Sequence, residues 1–410
     1  MATKARANGE GSIFPYRNGH AAYVWVTKPD GKRQRKYVYG KTRDDVHGKW
    51  LRLHQAAKAG PVPTKVPTVA SYLAGWLEDV VRPNLSPGTY VTYEVATRLY
   101  LIPGLGKKRI DKLQVRDVQT WINGVARACQ CCAQGKDARR PVKKRRCCAL
   151  GRCCQDFPAT TSLAGVRRVL RTALTQAMTE GVISQNVAKL VKLPPMRPKK
   201  RRAWSSEHAR QFLESARRDQ DPFYAAYVMV LVLGLRKGEM LGIVWEDLDL
   251  VAAELTIGHQ LQRVGTQLLH RDTKTANSDA TLPLPSICAV ALEQRQQAQV
   301  KERTAAGPAW QDLGFVFTTR FGTPMEPRNF NRIWDRRCDA AGVPRITVRD
   351  ARRTCGTLLR DLDVHPRVAM EILRHAQFAI TMEIYTQVTS DATRSALKKL
   401  SASLGEEVGE

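Results

Sequence analysis

The sequence lacks a long hydrophobic run and is poor in acidic residues. Its longest apolar stretch, YAAYVMVLVLGL at 224–235, falls short of the roughly 20 residues that a membrane span requires, so it reads as a buried core helix. The opening MATKARANGEGS has no apolar segment of the kind that heads a secretory signal, which predicts a cytoplasmic protein. No internal repeat recurs. Asp and Glu number 38 against 66 Lys and Arg, a formal charge of +28 over 410 residues. Solubility needs far less than that, so the imbalance points to a polyanionic partner, nucleic acid ahead of an acidic membrane.

With 410 residues and 43% apolar content, the chain predicts about three domains with sizeable cores. The first, residues 1–60, carries hairpin signals at Asn18-Gly19 and Asp30-Gly31 between alternating segments, which predict a small three-stranded sheet. Thr42 offers an N-cap for a following helix. Lys28, Lys32, Arg33, Arg35 and Lys36 gather around the second hairpin, where a sheet can lay cations along a DNA groove; a solvated charged face explains any one of them equally well. AAKAGPVPTKVPT (56–68) reads as a linker. Residues 66–193 show helical apolar spacing and predict an all-α module. LPPMRPKKRRAW (193–204), with Lys199, Lys200, Arg201 and Arg202, reads as a second, phosphate-contacting linker. Residues 203–410 predict a mainly α domain with a small antiparallel sheet, from LTIGHQLQRVG, TQLLHRD and ATLPLP, the last two joined by TKTANSD. The whole is thus an α+β multidomain chain.

Ten cysteines in a cytoplasmic protein are expected to be reduced, yet seven fall between Cys129 and Cys154. Clustered thiols suit a structural zinc, with Cys129, Cys132, Cys148 and Cys153 as one choice of ligands; free thiols in a loop are the alternative. Cys288, Cys338 and Cys355 read as ordinary buried residues.

Several charged residues sit where charge needs a partner. Arg236 follows the apolar run 224–235, and Glu239, three residues on, is its obvious counter-ion. Arg349 and Arg352 lie one turn apart at a helix start, facing one point and suited to a phosphate, while Arg353 is expected to point elsewhere. Tyr385 has Ile380 and Ile384 nearby, so the local sequence alone favours packing.

The order GLRKGEMLGIVWEDLD, TKTANSDATLPLP, TVRDARRTCGTLL, LRHAQFAITMEIYTQV resembles the catalytic domain of tyrosine recombinases of the phage integrase type. Upstream, LSPGTYVTYEVATRLYLIPGLGKKRIDKL is similar to their core-binding domain, and the N-terminal sheet to their arm-binding domain. The resemblance implies a site-specific recombinase that cuts and rejoins DNA through a 3′-phosphotyrosyl link to integrate or excise a mobile element. It implies Tyr385 as nucleophile, Arg236 and Arg352 on the non-bridging phosphate oxygens, Lys274 as the acid for the leaving 5′-oxygen, and His375 as a phosphate donor. The family pattern H-x-x-R has histidine where this chain has Arg349, which cannot serve as a base. No cofactor is implied for catalysis, and no carboxylate cluster with metal spacing lies near these motifs. Double-stranded attachment sites of core and arm type, a homotetramer on DNA and DNA-bending or excision factors are the implied partners. A sequence-specific DNA-binding protein with a decayed catalytic site is the competing expectation, resting on Arg349; a metal-dependent nuclease is a third.

Overall fold

The computed structural model describes residues 13–27, 31–60, 66–195, 202–273, 279–374 and 377–385. The chain divides into two compact units, residues 1–197 and 198–410.

The first unit opens with β1 (Phe14–Tyr16), β2 (Gly19–Thr27) and β3 (Arg33–Gly40), an antiparallel sheet in that order. Alternation decides which side is dry. Ala22, Val24 and Val26 pack against Val46, Trp50 and Leu53 of α1 (Arg43–Ala59). The Thr42 hydroxyl accepts from the Asp45 amide at 3.2 Å, the expected N-cap.

A separate apolar cluster is built by α2 (Val69–Trp76), α3 (Pro87–Ala96), α4 (Val115–Arg127) and α5 (Thr160–Thr179). Ser86 stands at the N-cap of α3, but its hydroxyl bonds Thr89 Oγ1 at 2.9 Å instead of capping a backbone amide. Wide π turns at Leu77–Val81 and Thr97–Leu101 each end two residues before a proline, Pro83 and Pro103. A proline ring presses on the carbonyl four residues back, and widening the turn relieves that contact.

The second unit is wrapped around α7 (Tyr224–Val232), which follows α6 (Ser206–Arg218) and is buried along its length. A helix apolar on all sides must lie inside. Trp204, Phe212, Phe330 and Trp334 pack with Tyr227 in one aromatic cluster. Next come α8 (Lys237–Gly242), β4 (Leu248–Asp249), β5 (Glu254–Ile257), β6 (His259–Val264), β7 (Gln267–Asp272) and β8 (Ala280–Pro283). LTIGHQLQRVG is therefore two strands broken at Gly258, and the β region is two sheets, β4-β5-β8 and the hairpin β6-β7. β8 pairs with β5 and not with β7, the strand it follows. Five more α-helices complete the described part: α9 (Ser286–Ala306), α10 (Pro327–Ala340), α11 (Val348–Asp361), α12 (Pro366–Leu373) and α13 (Phe378–Tyr385), the last lying against α11 and α12.

Candidate active site and nucleic-acid interface

A cleft of about 600 Å³ in the second unit is lined by Arg236, Lys237, Arg349, Arg352 and Arg353, together with Ile380 and Ile384 of α13. The chain assembles it from three places. After α7, Gly234 turns with φ +58° in a space where a Cβ would meet Leu373 Cδ2 at 2.6 Å, so glycine is required there. The turn delivers Arg236 to the N-cap of α8, while its Gly234 carbonyl accepts from Arg352 Nη1 at 2.5 Å. Thr347 caps α11 by accepting from the Asp350 amide at 3.1 Å, and the first turns of that helix present Arg349, Arg352 and Arg353 to the cleft. Arg353 thus faces the same cleft and does not point elsewhere: positions i, i+3 and i+4 of a helix share a face.

Glu239 organises these cations. It is buried, with Oε1 accepting from Arg236 Nη1 at 2.5 Å and Oε2 from the Arg236 amide at 3.0 Å and Arg374 Nη2 at 2.8 Å. Burial alone raises a carboxyl pKa, but here the charges of Arg374 and Arg236 and their hydrogen bonds outweigh it and hold Glu239 below its usual range. Arg374 was not anticipated from the sequence. Its signal was a cation directly after the apolar pair Ile372-Leu373 of α12, at a left-handed C-cap with φ 49°.

Glu239, with Asp335 and Asp350 on the cleft wall, still leaves three carboxylates against the six cations Arg236, Lys237, Arg349, Arg352, Arg353 and Arg374. Burial first, then repulsion from Arg236 and Arg374, brings Arg352 down to about 9. Arg352 Nη2 and Arg374 Nε are buried with no hydrogen-bond partner among the described residues. The site therefore has surplus positive charge and spare donors, which suits an anion such as a phosphodiester.

Tyr385 ends α13 one residue after the cleft-lining Ile384 but is not itself part of the cleft wall; it is half-buried, with its hydroxyl donating to the Val364 carbonyl at 2.8 Å. Burial raises its pKa despite the opposing charge of Arg360. The helix is held close to α11, because Arg360 Nη1 donates to the Ile384 carbonyl at 3.2 Å and Gly356 leaves room for the Ile384 side chain. Lys274 and His375 lie outside the described residues. Their neighbours are anchored: His270 on β7 bonds the Gly242 carbonyl of α8 at 2.9 Å, and the Arg374 carbonyl accepts from Arg236 Nη2 at 3.2 Å.

In the first unit, Arg33 and Arg35 stand on the exposed face of the sheet, and Lys32 is exposed just before β3. Arg35 stacks over Tyr23 and Trp25 at 4.9 and 4.8 Å, and Tyr16, Tyr37 and Tyr39 are exposed beside them. The aromatic members were missed from sequence, although their alternation with Arg33 and Arg35 was there to read. Lys36 falls on the opposite face by pleat parity, half-buried, with its pKa lowered by that burial. Arg202 is exposed. Lys28, Lys199, Lys200 and Arg201 lie outside the described residues. In the cysteine segment, Cys129, Cys132 and Cys153 come together, whereas Cys148 groups with Cys131 and Cys147.

An arginine-lined cleft with spare donors, in a mainly α unit, fits a phosphodiester held by cationic side chains. Comparison with known proteins specifies the kind of protein. The family described as "Phage integrase family" matches residues 204–391, and "Phage integrase, N-terminal SAM-like domain" matches residues 68–126. A tyrosine recombinase XerC-like protein of Caldanaerobacter subterraneus is 25% identical, covering 94% of this chain and 97% of that protein. An integrase of Streptomyces ambofaciens is 28% identical over 87% of this chain and 86% of its own length. The Tn1549 transposon integrase, solved with circular intermediate DNA, shares the fold at TM-score 0.61 and 21% identity, over 82% of this chain and 99% of that one. A lambda integrase tetramer bound to a Holliday junction does so at 0.54 and 15%, over 94% and 99%. The chain belongs to the phage integrase family of tyrosine recombinases. It is a site-specific recombinase that cuts and rejoins DNA, a chemistry that needs no cofactor. No helix among the described residues is long and apolar enough to cross a membrane.

Proposed function

We propose that Tyr385 attacks the scissile phosphate, forming a 3′-phosphotyrosyl bond as the bond to the 5′-oxygen breaks. Lys274 donates the proton that makes the departing oxygen a 5′-hydroxyl. Arg236 and Arg352 hold the non-bridging oxygens, and His375 adds a hydrogen bond. Attack by the 5′-hydroxyl of a partner strand then reverses the step, so bond energy is conserved and no ATP is consumed. Arg349 stands where the family has histidine; it stabilises negative charge on the phosphorane or the tyrosinate and does not take the phenol's proton, which passes to solvent water as the phosphotyrosyl bond forms. Arg374 acts as a positioning residue, holding Glu239 against Arg236.

The observation that carries this reading is the convergence of Arg236 and Arg352 on one cleft that has surplus positive charge and unused donors. The phenol, bound to the Val364 carbonyl in the protein alone, leaves that acceptor when DNA fills the cleft. The remaining division of labour follows the three-part chain: residues 1–60 read arm-type sites with the Arg33/Arg35 and tyrosine face, 66–193 and 203–410 grip the core site, and the linker cations contact phosphates. Four protomers on two duplexes, accessory bending or excision factors, and action on a mobile element in the cytoplasm complete the reading. The cysteine segment holds structural zinc.

The test uses nicked duplexes tiled from the DNA beside the gene, with EDTA in the reaction, resolved on a denaturing gel. A covalent protein–DNA adduct is expected and should vanish in Tyr385→Phe while binding persists. Tight binding without any adduct would favour a DNA-binding protein whose catalytic set has decayed.

A further inference from the structure

Seven sulfurs gather in a segment whose apolar cluster is made of cysteines alone. Its cluster of buried side chains consists of Cys129, Cys131 and Cys147, with Cys148 packed against them, while Val142 and Leu150 are exposed. Residues 129–154 carry eight Lys and Arg against one acid, Asp137, a net of 8 − 1 = +7. Such self-repulsion opposes compaction.

The sulfur spacing matches that of a metal–thiolate centre. With Zn–S bonds of about 2.3 Å, the edges of a thiolate tetrahedron are about 3.8 Å. The sulfurs of Cys129 and Cys154 stand 3.7 Å apart, Cys131 and Cys147 3.4 Å, Cys131 and Cys148 3.9 Å, and Cys132 and Cys153 3.9 Å. They fall into two trios, Cys129/Cys132/Cys153 and Cys131/Cys147/Cys148, each with all sulfurs within 4.8 Å of one another. Cys154 belongs to neither trio alone. Its sulfur stands 3.7 Å from that of Cys129 of the first, and it is the one sulfur of the seven left over when both trios are filled. Two four-coordinate ions need eight ligand positions, and seven thiolates fill them when one is shared.

We propose that the segment is a binuclear zinc–thiolate module in which Cys129, Cys132 and Cys153 bind one ion, Cys131, Cys147 and Cys148 bind the other, and Cys154 bridges the two. The proposal rests on the structural-zinc reading above and adds the number of ions and the shared ligand. The surroundings suit it. The buried Asp137 carboxylate accepts from the amides of Cys147 at 2.9 Å, Arg146 at 3.1 Å and Ala149 at 3.1 Å, shaping the loop that presents Cys147 and Cys148. The amides of Asp156 and Gln155 donate to the sulfurs of Cys129 and Cys153 at 3.3 and 3.4 Å, the kind of outer contact that favours thiolate over thiol. Two Zn²⁺ and seven thiolates sum to 4 − 7 = −3, which offsets part of the surrounding positive charge and fixes the KKRR stretch at 143–146 beside it.

The full-length protein, purified under reducing conditions without chelator and dialysed, should contain about two zinc ions per chain by mass spectrometry of the metal. In a Co²⁺ titration of the metal-free protein, thiolate charge-transfer bands should appear, and the magnetic moment per cobalt should fall as the second ion loads, because a shared sulfur couples the two spins. Cys153→Ser and Cys148→Ser should each lower the zinc content by one ion, whereas Cys154→Ser should loosen both. One zinc per chain would overturn the binuclear site while leaving structural zinc in place. No zinc would overturn both readings. Two ions without spin coupling, or both retained undiminished in Cys154→Ser, would overturn the bridge.

Discussion

Replacing Glu239 by glutamine should destabilise the second unit because it leaves Arg374 buried without a counter-charge. The two arginines on Glu239 are not equivalent. The Arg236 side chain is 43% exposed, so water takes over much of what it loses, and its share is small. The Arg374 side chain is 2% exposed and has no such recourse. Breaking one side of a buried pair costs about 3–5 kcal/mol, and since the amide keeps one acceptor oxygen we expect the lower half of that range. For a unit of this size each kcal/mol moves the melting temperature by roughly 2–4 °C, so the drop should be roughly 6–16 °C by thermal unfolding followed by circular dichroism. Adding Arg374→Met removes the orphaned cation and should recover at least about 1 kcal/mol relative to the sum of the single changes. The pH dependence carries a definite sign. Glu239 has its folded pKa depressed, so its contribution is fully present above the ordinary carboxylate value of about 4.3 and is lost as pH falls through the lower folded value. The gap between wild type and Glu239→Gln should be constant at neutral pH and close below about pH 4. A melting temperature within about 2 °C of wild type, or a double variant no better than additive, would refute the assignment of the cost to Arg374.

Gly234→Ala should destabilise by about 2 kcal/mol or more, from the left-handed backbone and the collision with Leu373, and should depress cleavage because the same turn places Arg236 and accepts from Arg352; denaturant melts and adduct yield measure the two effects. Arg349→His restores a group that titrates near pH 6.5, so the rate of adduct formation should acquire a pH step there that the Arg349 protein lacks, read from a pH profile of single-turnover cleavage. Arg35→Ala should lower the log–log salt slope of arm-site binding by about 0.9 if Arg35 neutralises one phosphate, while Trp25→Ala should weaken arm binding with the slope unchanged. Binding isotherms at several salt concentrations check both, and core-site affinity should stay as it was.

The local signals were legible because they are local. Thr42 accepts a backbone amide three residues on, a relation set by helix geometry, although at Ser86 the hydroxyl turns to Thr89 Oγ1 instead. The apolar run 224–231 could only be buried, and alternation in the N-terminal sheet settled which residues face its core. What escaped reading was decided by contacts between distant residues. Arg236 meets the Arg374 carbonyl across 138 positions, and Arg352 meets Gly234 across 118. No periodicity announces such pairs. The β region misled for the same reason: strand identity is local, but β8 returning to β5 instead of β7 is a choice of partner made by the packing around it. The clustering of cysteines suits a metal but left the ligand set open, while the division of seven sulfurs into two trios and a neighbour depended on how the loop held by Asp137 folds back on Cys131. The chain's charge, domain order and reactive residue types are therefore properties of the sequence itself. Which arginine shares a carboxylate with which, and where the tyrosine hydroxyl rests, exist only once the tertiary structure has brought remote segments within a few ångströms.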